Sequence, residues 1–149
     1  MDLDKLIIRK PTPEDNLEKI AELLYNTDPY IYPYWFETLE KCKKELPPLL
    51  LEKKFFFALD NLYITIDSTN NEIIGVVCIL DKNVDLSYDY TKLKEKNERY
   101  KFTIENYIMS LVDEVKDCYE KFSVKVLLIA IFSVFNNRIN NGQLYLRIL

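Results

Sequence analysis

No histidine occurs anywhere in the 149 residues, and glycine occurs only at Gly75 and Gly142. Without histidine the usual general base, proton shuttle and metal ligand near neutral pH is gone. Serine–histidine and cysteine–histidine nucleophile pairs are excluded outright. With so few glycines the chain cannot build the multi-glycine phosphate loops of the Rossmann or Walker kind, which removes most support from nicotinamide and nucleoside-triphosphate chemistry. The three cysteines, Cys42, Cys78 and Cys118, are odd in number and widely spaced. They fit neither a disulfide framework nor a zinc spacing and are read as core or boundary residues. No apolar run reaches the roughly 18 residues of a membrane span, and Met1 to Lys5 lack the apolar core of a signal peptide. A reducing cytoplasm is therefore expected. Positive charge is short as well: 20 Lys and Arg against 24 Asp and Glu leave a net charge of −4, with no basic field to hold nucleic acid.

What is present is a core's worth of apolar side chains. An apolar share of 48% and a charged share of 30% are globular rather than disordered values, and the length suits one domain over residues 1–149. Leu6 to Lys10 predicts a first strand, closed by Pro11. Thr12, Pro13, Glu14 and Asp15 predict a helix start, with Thr12 as N-cap and Pro13 in the first helical position. Leu17, Ile20, Ala21, Leu23 and Leu24 follow at helical spacing. The stretch Thr27 to Phe36 predicts an aromatic loop leading into a second helix through about Glu45, with Pro47 and Pro48 as its stop. Leu62 to Ile66, turn residues Asp67 to Asn71, and Glu72 to Leu80 predict an antiparallel hairpin. Gly75 within it marks a bulge or the close approach of another backbone.

Tyr88 to Phe122 predicts charged helix, as two helices or one broken near Tyr100 to Thr103, with Lys92 to Lys101 as a solvated face. The apolar run Val126 to Phe135 predicts a last strand, Asn136 to Gly142 a polar turn, and Gln143 to Leu149 the start of a helix. Strand, turn and helix N-terminus in that order place unpaired N–H groups and a helix dipole around one turn, which is an anion site. The fold class expected is α+β, a mixed sheet with helices packed on it.

Four segments together resemble the GNAT family of N-acetyltransferases, which move an acetyl group from acetyl-coenzyme A to an amine. They are Ile8-Arg9-Lys10-Pro11-Thr12-Pro13-Glu14-Asp15, Thr27-Asp28-Pro29-Tyr30-Ile31-Tyr32-Pro33, Glu72-Ile73-Ile74-Gly75-Val76 and the terminal strand–turn–helix. The family's phosphate turn, Arg/Gln-x-x-Gly-x-Gly/Ala, falls on Asn137, Arg138, Ile139, Asn140, Asn141 and Gly142. Gly142 matches; Asn137 stands where Arg or Gln is usual and Asn140 where the first Gly is usual.

The resemblance implies acetyl-coenzyme A as co-substrate and no metal. Its pantetheine arm would lie beside Ile131, Phe132 and Ser133, and its pyrophosphate on Asn137, Arg138, Ile139, Asn140, Asn141, Gly142 and Gln143. It also implies a small-molecule or peptide amine acceptor beside Tyr30, Tyr32, Tyr34 and Trp35. No catalytic base is named, because the final strand carries no acid and Glu72 lies at the start of its own. Against the family pattern the chain is expected to lack the last strands and helix, and a second copy is expected to cover the apolar edge of strand 124–134. Two functions stay open: acetyl transfer, and a non-catalytic binding or assembly module on the same scaffold.

Overall fold

The computed structural model describes residues 3–81, 83–94, 98–122 and 126–129. Its elements in chain order are strand β1 (Leu6–Arg9), helices α1 (Leu17–Tyr25), α2 (Ile31–Phe36) and α3 (Leu39–Leu50), then strands β2 (Leu62–Asp67) and β3 (Glu72–Asp81). Helices α4 (Thr91–Lys94), α5 (Glu98–Thr103) and α6 (Met109–Phe122) follow, with a π-helical turn (Ile104–Ile108) joining α5 to α6, before strand β4 (Val126–Ile129). Among the described residues the strands form one antiparallel sheet in the order β1-β2-β3-β4, so the architecture is α+β.

The hairpin β2–β3 follows from alternation. Leu62, Ile64 and Ile66 turn to the core, while Tyr63, Thr65 and Asp67 stay half-buried. Across from them Ile73, Val76, Cys78 and Leu80 complete the buried face. Thr65 pairs with Gly75 and Ile66 with Ile73, so Ile74 is an extra residue in the ladder. A Cβ added to Gly75 would meet the Cβ of Thr65 at 3.4 Å, an ordinary contact. Of the two readings of Gly75, the bulge is the one observed. The turn closes through short side chains: Asp67 accepts the N–H of Thr69 at 2.8 Å, and Asn70 accepts that of Glu72 at 3.0 Å.

Three expectations are corrected. The first helix begins at Leu17, with Asn16 accepting the N–H of Lys19, rather than at Pro13 with Thr12 as its cap. Asp15 is captured elsewhere: Arg9 donates to both of its carboxylate oxygens at 2.7 Å and the Thr12 N–H donates at 2.7 Å. That charged pair outweighs a helical turn, so Thr12 to Asp15 closes as a turn instead.

Pro47 and Pro48 do not stop α3, which continues through them to Leu50. A proline inside a helix costs about 3 kcal/mol, but both lie in the last turns, and Leu46, Leu49 and Leu50 are buried there. Burial at roughly 1.5–3 kcal/mol per leucine carries the helix past them.

The aromatic stretch is not a loop, since Ile31 to Phe36 is helical. Asp28 initiates it by accepting the N–H groups of Tyr30 and Ile31 at 2.8 Å. The helix ends at Glu37, whose φ of 67° and ψ of −51° place it at the centre of a γ-turn, with the Thr38 N–H donating to the Phe36 carbonyl at 2.8 Å.

The core sits between the sheet and α1–α3. Ile20, Ala21, Leu23 and Leu24 of α1 pack with Cys42, Leu46, Leu49 and Leu50 of α3 and with the buried sheet face. Phe55, Phe56 and Phe57 are all buried beneath the turn that follows α3, where Asn61 donates to the carbonyl of Phe56 at 3.0 Å. The sheet has β1 at one side and β4 at the other. Ile8 of β1 is 68% exposed. No helix among the described residues is long and apolar enough to cross a membrane.

Candidate functional site

The residues expected to meet an acceptor divide into two sets. Tyr32, Trp35 and Phe36, at helical spacing of three and four, face inward and are fully buried, whereas Tyr30 is 80% and Tyr34 43% exposed. Trp35 and Phe36 stack with ring centroids 4.6 Å apart, and Tyr32 lies 6.5 Å from each. The opposing wall is α5. Tyr100 sets its ring edge against Trp35 at 6.2 Å and against Phe36 at 6.4 Å. At the surface Phe102 meets Tyr34 edge-on at 5.1 Å, and the Arg99 guanidinium lies 6.0 Å from the Tyr34 ring while pairing with Glu37 at 3.2 Å. We call the buried part of this contact, between α2 and the helical segment Glu98–Ile108, the seam.

Polar atoms are present on the seam, but they are not matched. The Tyr32 hydroxyl, the Trp35 indole N–H and the Thr103 hydroxyl are buried and make no hydrogen bond among the described residues. Burial pushes the Tyr32 hydroxyl well above its ordinary pKa, with the neighbouring Tyr107 adding to the effect. Tyr107 is itself raised by burial and then by the carboxylate of Asp28. The two tyrosine hydroxyls are neutral: each can donate and accept a hydrogen bond, and neither supplies a base.

A concavity of about 590 Å³ opens where the start of α1 faces the β2–β3 turn; Glu14, Asp15, Asn16, Lys19, Asn70 and Glu72 line it. Asp15, Lys19 and Glu72 are engaged. Lys19 lies 3.1 Å from Glu22 and 3.7 Å from Glu72, and the Arg9 guanidinium beside Asp15 holds that carboxyl at about 2. Glu72, the acid considered on sequence, sits here in an ion pair and also meets the Asn70 side chain at 3.4 Å. Among the described residues no group of three or more Cys, Asp or Glu is placed to hold a metal ion.

The cofactor residues expected on sequence, Ile131, Phe132, Ser133, Asn137, Arg138, Ile139, Asn140, Asn141, Gly142 and Gln143, lie outside the described residues. Of the strand expected over 124–134, Val126–Ile129 is described; it pairs with β3 from Val126 opposite Asp81 to Ile129 opposite Cys78. Cys42 and Cys78 are buried free thiols; burial pushes Cys42 up to about 12 and Cys78 higher still, so neither is a thiolate near neutral pH.

Sequence reasoning passed over Phe102 and Thr103, which lie beside the charge-dense stretch taken as a solvated face, while Tyr107 was expected in a buried helical stripe. The available signal was Tyr100, Thr103 and Tyr107 at spacings of three and four within a run whose other members are mostly charged or polar. Compared with models of known protein families, with curated proteins and with solved structures, the chain matches none.

Proposed function

We propose that the protein is an N-acetyltransferase of the GNAT type, transferring the acetyl group of acetyl-coenzyme A to an amine. The observation that supports this reading is the chain-ordered antiparallel sheet, with α1–α3 inserted between β1 and β2 and with β4 running antiparallel to β3. The cofactor's pyrophosphate would be held by Asn137 to Gln143, and its pantetheine arm would lie beside Ile131 to Ser133. The exposed face of α2, with Tyr30 and Tyr34, is assigned to the acceptor. Direct attack of an amine on the thioester requires positioning, hydrogen bonds to the developing oxyanion and removal of one proton.

Calorimetric titration of the full chain with acetyl-coenzyme A tests the proposal. A saturable heat is expected. No heat at millimolar ligand overturns it and leaves the non-catalytic binding or assembly module, a reading favoured by the burial of Tyr32 and Trp35 in the core. A second copy on the edge of strand 124–134 belongs to the same proposal. Light scattering on the same samples should show a dimer, and a monomer at every concentration removes that part.

A further inference from the structure

We infer that the seam between α2 and the helical segment Glu98–Ile108 is a ligand pocket, closed in this structure, for a small molecule that joins an aromatic or apolar body to a neutral hydrogen-bonding head such as an amide. The inference goes beyond acetyl transfer and stands without it.

Its foundation is three buried polar atoms on one contact. Tyr32, Trp35 and Thr103 are 2%, 1% and 1% exposed, and the Tyr32 hydroxyl, Trp35 indole N–H and Thr103 hydroxyl lack a hydrogen-bond partner among the described residues. Buried polar groups are satisfied nine times in ten or more, and each that is not costs roughly 1–3 kcal/mol. Three together are a large fraction of the roughly 5–15 kcal/mol by which a domain is stable. A sequence under selection for stability alone would carry phenylalanine and valine in place of Tyr32 and Thr103.

The placement of Thr103 follows from its helix. Tyr100, three residues earlier, meets Trp35 and Phe36. Tyr107, four residues later, is close enough to Tyr32 to raise its pKa. Thr103 lies between them on the same face and therefore looks toward α2. The π-helical turn begins at the next residue, Ile104, and such widened turns are concentrated at functional sites in helices. Over the seam lie the half-exposed rings of Tyr34 and Phe102 and the exposed Arg99–Glu37 pair, contacts of the weak surface kind that part at little cost.

The chemistry of the head follows from the lining. An indole N–H only donates, while the two hydroxyls donate and accept, which suits a group carrying both a carbonyl and an N–H. Among the described residues no cation lies within the seam; Arg99 sits at its exposed rim, engaged with Glu37. Asp28 at the start of α2 brings negative charge nearby, and it already accepts the N–H groups of Tyr30 and Ile31. An anionic head would be buried without a counter-charge, which is costly.

Trp35 is the only tryptophan of the chain, so its indole N–H gives a single resonance in a nitrogen-15 spectrum of the full-length protein. Titration with phenylacetamide should move that resonance saturably in the millimolar range. Phenylacetate, the same ring with an anionic head, should bind at least about tenfold more weakly. Thr103→Val and, separately, Tyr32→Phe should raise the thermal midpoint while weakening phenylacetamide several-fold, the opposite signs expected of groups kept for a ligand. Three results overturn the inference: no shift with millimolar amide, equal affinity for amide and carboxylate, or variants that lower the midpoint and leave affinity unchanged.

Discussion

At the corner between β1 and α1 the charged groups Arg9, Lys10 and Asp15 all have partners within reach. Arg9 grips both oxygens of Asp15 at 2.7 Å, the Thr12 N–H adds another bond, and Lys10 donates to the Asp60 carbonyl at 2.9 Å. On the seam the polar atoms are better buried, yet they have no hydrogen-bond partner among the described residues. The corner is open to water and the seam is closed to it. Stability at the corner comes from directed, charge-assisted bonds, and on the seam from packed area, which holds in spite of its polar atoms rather than through them.

Three substitutions press on that contrast. The largest effect is expected from Trp35→Ala, which removes a fully buried indole stacked on Phe36 and met edge-on by Tyr100. Urea unfolding should show a loss of about 3–5 kcal/mol. A loss below about 1 kcal/mol would mean that the rings are not packed as described.

Asp15→Ala should cost about 2 kcal/mol at neutral pH, since it strips a carboxylate from a bidentate arginine. Its pH dependence carries the sign. The Asp15 carboxyl titrates at about 2 in the fold, below its ordinary 3.8, chiefly because Arg9 donates to its charged form. Its contribution is therefore complete above about pH 4 and is lost as pH falls through about 2. Wild type and variant should converge over that acid window, and parallel curves would show that the pair does not set the difference.

The smallest effect is expected from Gly75→Ala. The added methyl meets Thr65 at an ordinary 3.4 Å, and alanine lowers the entropy of the unfolded chain. A gain of about 0.5 kcal/mol should appear in the thermal midpoint. A loss of more than about 1 kcal/mol would show that the bulge needs glycine.

How far the fold was legible depends on how local its causes are. The hairpin reads directly, because alternation at Leu62, Ile64 and Ile66 and the side-chain turns at Asp67 and Asn70 are settled within a few residues. The start of α1 misleads because Thr12 and Pro13 make a plausible cap locally, while Asp15 answers to Arg9, six residues away on a strand. The last turns of α3 mislead for a related reason: the breaking power of Pro47 and Pro48 is local, and the burial of Leu49 and Leu50 is not. The seam was least legible of all. Thr103 and Phe102 acquire meaning only when α5 is laid against α2, some 70 residues earlier in the chain, and no pattern within either helix announces the other.

The γ-turn at Glu37 has a mechanical consequence. Only Glu37 and Thr38 separate α2 from α3, and Thr38 is committed as the cap of α3, accepting the N–H of Lys41. At the α3 end of α2, any change in the angle between the two helices therefore falls on Glu37. A residue with a side chain occupies only a narrow well at positive φ, so leaving it is a hop between separate backbone states and not a gradual slide. The angle between α2 and α3 is thus held by one residue in a discrete backbone state, and not by the give of a flexible linker.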